Sequence, residues 1–359
     1  MSTSTVDTSA PAGGGSAAAT GPSPLLALPG AVAAEGVDAG TAWHYGDPTR
    51  EQRLLEQGEA VVDLSHRGVV TVSGPDRLTW LDALSTQWLR DLAPGAPAEA
   101  LVLSPHGHIE HALHVVDDGG TTWLTVEPGA AAALVSHLEK MRFMLRVEVR
   151  DVTAHWAVLA ETSTAPSAAA AGRVTWLDPW PATAADGVRY APVDDDAHPA
   201  AGRTWREVLV PRGELSAAVA GRPLAGTWAA EALRVAAWRP RFGVDTDHRS
   251  LPHELDWLRT AVHLRKGCYR GQETVARVHN LGRPPRRLTL LHLDGSGHVL
   301  PGAGDPVLGA ERAVGVLTTV ARHHELGPVA LAVLKRSTPV DAPLRVGSVA
   351  AAQEVVVAP

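Results

Sequence analysis

From Arg287 onward the chain falls into short apolar runs, 288–293, 313–320, 329–334 and 344–346, separated by Gly and Pro. Runs of that length between turn residues suit strands and are too short for packed helices, so 286–359 is expected to form a small separate β-barrel or sandwich. Upstream the rhythm differs. Strands are expected over 69–72, 109–116, 122–126 and 145–149, the second and third joined by Asp117-Asp-Gly-Gly120. Between them lie helical patterns. Gly74-Pro75-Asp76 reads as a helix start continued by Leu78, Leu81 and Leu84, Pro128 opens a helix through Met141, and Thr227 can cap a helix over 228–238 that Pro240 ends. No nucleotide-loop glycine pattern accompanies this alternation, so the fold class is α+β rather than a Rossmann unit.

At 359 residues the chain exceeds one small core. The expected division is a disordered Ser/Thr/Ala/Gly/Pro tail over 1–38, an amino-terminal α+β unit over 39–160, a middle region over 161–285 and the barrel over 286–359. No apolar run approaches ~18 residues, so no membrane span is expected. The single cysteine excludes an intramolecular disulfide and suits a reducing compartment, and no Lys or Arg precedes Arg50, so the apolar stretch at 25–34 lacks the charged start of a signal peptide. A cytoplasmic protein is the expectation.

The most unusual segment is Lys266-Gly-Cys-Tyr-Arg-Gly-Gln-Glu273. The chain has one Cys (Cys268), one Asn (Asn280), three Lys and three Tyr, and four of these rare residues fall between Lys266 and Asn280. Cys268 lies between glycines and cations. Arg265, Lys266 and Arg270 would favour its thiolate, Gly267 and Gly271 would let backbone approach a ligand, and Gln272 and Glu273 could orient a bound group or clamp Arg277. Nucleophile, redox thiol and metal-ligating thiolate all remain open. Between Arg259 and Arg287 eight cations meet one acid, a local balance of +7 in a chain of net charge -7. That reversal marks either an anion site or a loop whose arginines pair with acids elsewhere in the fold.

Histidines cluster at His106, His108, His111 and His114. As strict strand alternation, His108, Glu110 and His114 would share one solvated face, while Ile109, His111, Leu113 and Val115 share the other; His111 is then a candidate pocket wall. Three ligands along one strand face spread over roughly 20 Å, too far for one ion, so no metal site is expected there. His323-His324-Glu325 reads as a polar turn.

The run Lys266 to Glu273, continuing Thr-Val-Ala-Arg277, resembles the signature of the YgfZ family, folate-binding proteins related to the T-protein (aminomethyltransferase) of glycine cleavage. Asp63-Leu-Ser-His-Arg-Gly68, Val72-Ser-Gly-Pro-Asp76 and Leu84-Ser-Thr-Gln87 resemble the amino-terminal region both groups share. The resemblance implies a T-protein-like arrangement of three parts around a central folate-sized cavity, a carboxy-terminal β-barrel, and a role in assembling or repairing iron-sulfur clusters. It further implies Cys268 as the functional thiol with Lys266 and Glu273 beside it. Tyr269, Gln272, Arg277, His111, Arg234 and Arg241 become candidates for holding tetrahydrofolate or a folate derivative, with Trp228 and Trp238 as stacking partners. No resident metal is implied. Iron-sulfur proteins or cluster-assembly factors are the implied partners, and a polyanion such as folate polyglutamate, ahead of RNA, would suit the cationic segment. Where the T-protein carries paired aspartates and a pterin-binding Glu, this chain has His111 with Ala112, and Ala236 after Arg234. The alternative, a folate-dependent one-carbon transferase acting on a protein, RNA or small amine, would need those acids.

Overall fold

A computed structural model describes residues 21–167, 170–297, 300–310 and 312–359. A small hairpin of β1 (Val32–Ala33) and β2 (Ala42–His44) precedes helix α1 (Pro48–Glu56), β3 (Val61–Asp63), β4 (Gly68–Ser73) and α2 (Arg77–Leu84). Next come β5 (Pro97–Leu103), β6 (Ile109–Asp117), β7 (Thr121–Val126), α3 (Ala131–Met141), β8 (Glu148–Asp151) and β9 (Trp156–Glu161). The middle of the chain holds β10 (Thr175–Leu177), β11 (Arg206–Pro211), α4 (Leu215–Ala218), β12 (Leu224–Ala225), α5 (Thr227–Ala236) and α6 (Gln272–Leu281). The end supplies β13 (Arg286–Leu293), β14 (Pro306–Gly309), β15 (Arg312–His323), β16 (Gly327–Lys335), β17 (Leu344–Val346) and β18 (Val349–Val355).

Three β-structures organise these elements. The first sheet runs β5-β6-β7-β4-β8 and the second β10-β11-β9-β3-β12, while β13-β16-β15-β14-β17-β18 close into a barrel. The first sheet buries one face under α2 and α3, where Leu81, Leu113, Leu124, Leu134 and Leu138 form a common core. Helix α5 is the central shaft, touching α1, the strands β3 and β12 of the second sheet, and β15 and β16 of the barrel. It starts one residue earlier than the capping pattern suggested. Gly226 holds the cap position because a Cβ there would meet the Trp43 carbonyl oxygen at 2.0 Å, and its N–H goes to Glu51 Oε2 at 2.9 Å.

Three expectations change. Residues 21–38 are not a structureless tail: Leu25 is buried beside Leu215 and Val219, Ser23 N–H donates to Gly40 O at 2.8 Å, and Asp38 accepts from Arg241. The few apolar side chains there have a prepared surface to cover, which composition cannot reveal; residues 1–20 lie outside the described residues. The second sheet went unread because β9 and β11 are buried almost throughout, so neither shows the in/out alternation of a half-exposed strand. Finally, β6 does not alternate strictly. Val102 pairs with His111 but Leu103 with Ile109, making Glu110 the extra residue of a β-bulge. The bulge puts Ile109 on the face of Ala112 and His114, and that face looks into the protein, not into solvent. His111 turns the other way, toward His137 of α3 with ring centroids 5.8 Å apart.

Burial holds His111, His198 and His253 each down at about 4, helped by His137, Arg259 and His279 respectively; for His253 a bond to the Val275 carbonyl opposes the shift. All three are neutral at pH 7. Because each folded value lies below the ordinary 6.5, the stability they contribute is complete above pH 6.5 and drains away as pH falls toward 4. Thermal unfolding midpoints should therefore decline through this window, and a flat profile between pH 6.5 and 5 would contradict the assignment.

Candidate functional site: a charged central cavity and a pinned thiol loop

Between the two sheets and α5 lies a cavity whose walls come from distant segments. Arg67 enters from the β3–β4 connection, Glu99 from β5, Ala112 and His114 from β6, Glu127 from the end of β7, Trp176 from β10, Glu207 from β11, and Glu231 and Arg234 from α5, with Arg239, Arg241 and Trp257 beyond it and Asp38 from the amino-terminal segment. The free volume of the cavity is only ≈ 70 Å³, because arginines and indoles project into it.

The charges in this space pair with one another. Arg67 bridges Glu127 at 2.7 Å and Glu207 at 2.6 Å; Arg241 binds Asp38 at 2.7 Å and Glu127 at 2.8 Å; Arg239 binds Glu99 at 2.8 Å and Asp178 at 3.2 Å; Arg203 binds Asp178 at 2.8 Å. Arg234 reaches Asp245 at 2.6 Å, Glu231 at 2.8 Å and the barrel hydroxyl of Thr319 at 2.9 Å. His114 sits 2.9 Å from Glu207 while its ring stacks on Trp176 at 3.7 Å with planes 3° apart. Burial pushes the Glu207 carboxyl up, but Arg67 and His114 outweigh it and hold the group well below the usual carboxylate range. The same contest, won by the arginines, lowers Glu127 and Asp178. A carboxylate held that low is a poor general base at neutral pH.

The motif segment lies elsewhere. No residue from Lys266 to Arg277 lines the cavity. Lys266 is buried, and its ammonium donates to the carbonyls of Asp82, Ser85 (2.8 Å) and Gln87 (2.7 Å), so all three N–H groups close off the carboxy-terminal end of α2. Burial pulls that ammonium down to about 8 against the opposing pull of Asp82. This is the work of a structural clamp, not of the reacting group that the sequence suggested. Tyr269 is buried in the main core, and Gln272 Nε2 donates to Lys266 O at 3.3 Å. Gly271, at φ +83°, packs so tightly on the β5–β6 turn that a Cβ would lie 2.6 Å from Ser104 O, which only glycine tolerates. Cys268 itself is exposed, as are Glu273 and Arg277.

Most of the cations of this segment find acidic partners on folding. Arg259 pairs with Asp256 and Asp195, Arg265 with Asp186, Lys266 with Asp82, Arg270 with Glu110, and Arg286 with Asp247 and Glu254. Arg287 is buried on Thr289, Thr338 and Gln353. Among the described residues only Arg277 and Arg283 of the eight have no such partner. The structure thus selects the paired-loop reading over the anion site.

Of the expected ligand-binding residues, Arg234 and Arg241 line the cavity, whereas His111, Tyr269, Gln272 and Arg277 do not. Trp228 instead packs at a tilt against Trp43 (centroids 5.4 Å apart) and Trp238 lies edge-to-face with His198 (4.9 Å). Sequence reasoning missed Arg67, Glu99, Glu127, Trp176 and Glu207. Two signals were available: Arg67 sits inside the Asp63–Gly68 stretch already singled out, and Glu207 is an acid immediately before the apolar run 208–210.

Comparison with known proteins adds the following. The GCVT N-terminal domain family matches residues 29–162. The chain is 27% identical to "Putative transferase At1g60990, chloroplastic" of Arabidopsis thaliana over 74% of its own length and 62% of that protein, less than two thirds of the plant chain. It is 29% identical to "Iron-sulfur cluster assembly factor IBA57, mitochondrial" of Mus musculus, over 79% of each chain. In fold it superposes on the crystal structure of the glycine cleavage system aminomethyltransferase T from Bartonella henselae with a TM-score of 0.71 at 20% identity, covering 91% of this chain and 93% of the other. The likeness extends over nearly the whole of both chains and shows a shared fold. Residues 29–162 thus carry a GCVT N-terminal domain, and the chain as a whole has the T-protein fold and is similar both to aminomethyltransferases and to IBA57-type proteins.

Proposed function

We propose that this protein is a folate-binding-type accessory factor for iron-sulfur cluster assembly or repair, working on partner iron-sulfur proteins or assembly factors through Cys268. The observation that carries this reading is the separation of the thiol from the cavity. Cys268 stands exposed on a loop fastened by Lys266 to α2, by Gly271 to the β5–β6 turn and by Arg270 to Glu110, a rigid presentation to another macromolecule. The mouse relative, named as a cluster assembly factor, supports it. One thiolate supplies at most one of the four ligands a cluster normally takes, so the partner must bring the rest.

The donor set of the cavity suits a folate. Glu99, Asp178 and Glu207 are buried carboxylates able to accept the pteridine N–H groups, Trp176 and Trp205 are flat apolar walls, and Arg241 can meet a glutamate carboxylate. When bound, such a group would supply a one-carbon carrier. Its affinity is set by the cost of parting the arginine–carboxylate pairs that now fill the space. One-carbon transfer is the weaker reading, since no carboxylate in the cavity is free of an arginine or poised as a base. A polyanion contact rests on Arg277 and Arg283 alone, and a reducing compartment such as the cytoplasm suits the free thiol.

Deletion of the gene should lower the activity of several iron-sulfur enzymes, most under oxidative stress. Wild type should restore them and Cys268→Ser should not. Full complementation by Cys268→Ser would make the thiol dispensable and remove the proposal.

A further inference from the structure

Helix α1 and the barrel meet at a junction that the cavity and the thiol loop leave unused. Gln52 locks it: its Nε2 donates to Arg322 O at 3.0 Å and its Oε1 accepts from His324 N at 2.9 Å. One turn further along α1, Glu56 faces His323 and His324, and one ligand atom from each of the three lies within 4.8 Å of the others. Consecutive strand residues ordinarily point to opposite faces. Here β15 ends at His323, and the following turn swings His324 back until the two rings stand 4.6 Å apart.

We propose that Glu56, His323 and His324 bind a divalent first-row transition metal, with an open coordination position facing the adjoining cleft. His324 is the strongest pointer. Its side chain is only 4% exposed, yet Nε2 makes no hydrogen bond, although Glu56 Oε2 lies 3.0 Å away. A close approach without hydrogen-bond alignment is what two ligands of one ion show: tetrahedral bonds of about 2.0–2.1 Å set neighbouring donor atoms roughly 3.3 Å apart. Two imidazoles and a carboxylate suit Zn²⁺ or Fe²⁺, whereas Mg²⁺ and Ca²⁺ prefer all-oxygen sets.

His323 must adjust. Its Nδ1 accepts the N–H groups of Glu325 and Leu326, both at 3.2 Å, which leaves the proton of the neutral ring on Nε2. Coordination through Nε2 moves that proton to Nδ1 and releases the two backbone N–H groups to solvent, at little cost because Glu325 and Leu326 are exposed. Glu56 and His323 also border a cleft of ≈ 710 Å³ formed with Thr162, Arg203 and Glu325. Three protein ligands beside such a space leave the remaining position to water or an anion.

The test is titration of the metal-free, untagged full chain with CoCl₂, followed by visible absorption and by competition with ZnCl₂. A single equivalent should bind with the intense bands of a four- or five-coordinate site, and Zn²⁺ should displace it. His324→Ala should weaken binding roughly tenfold or more. Glu56→Gln, at a position 52% exposed and outside the core, should weaken it similarly without disturbing the fold. Unchanged uptake and spectrum in both variants, or weak octahedral bands alone in the wild type, would overturn the site.

Discussion

Replacement of Arg239 by methionine is expected to destabilise the protein by about 3–5 kcal/mol, the cost typical of breaking a buried ion pair from one side. Arg239 is buried and binds Glu99 and Asp178, which are themselves inaccessible, while its guanidinium lies over the Trp180 ring at 5.2 Å. Asp178 keeps Arg203 after the change, but Glu99 is left with only the neutral donors Trp257 Nε1 (2.9 Å) and Thr260 Oγ1. The penalty is that of an uncompensated buried charge rather than of a lost attraction. A second change, Glu99→Gln, removes the orphan and should recover more than half of the loss. Urea denaturation of wild type, both single variants and the double variant measures this directly. Additive losses in the double variant would show that packing of the arginine stem, not charge, governs this wall.

The Lys266→Met variant should lose about 3 kcal/mol and loosen the thiol loop. Three carbonyls at the end of α2, all on buried residues, would be left without their donor. Lys266→Arg should not rescue it, since a planar guanidinium cannot aim three N–H groups at carbonyls arranged around a single ammonium. Urea unfolding together with limited proteolysis across 264–271 would reveal both effects. Wild-type stability and protease resistance in Lys266→Met would show that the loop is held by Gly271 and Arg270 alone. The outcome bears on function, because a motif lysine that clamps backbone predicts loss of activity through disorder of Cys268 and not through lost chemistry.

The elements legible in the sequence were those whose signal is local. Short apolar runs between Gly and Pro marked four of the six barrel strands, and Leu78, Leu81 and Leu84 marked α2. The rarity of Cys, Lys and Asn located the 266–280 segment. Strands buried on both faces, β9 and β11, carry no period to read, and the β6 bulge at Glu110 reverses the facing of Ile109 without any mark in the residue pattern.

The sequence by itself determined the α+β class, the carboxy-terminal run of short strands and the place of the single thiol, because turn residues, apolar period and residue scarcity act over a few positions. Tertiary structure decided where the charges go. Arg67 meets Glu207 across 140 residues and Arg241 meets Asp38 across 203, and most cations of the apparent +7 segment meet acids drawn from β6, the α2 helix and the loops around Asp186 and Asp247. Coulombic partners are chosen by distance in space, and in a buried site each charge must find one; no local reading of the chain supplies that distance.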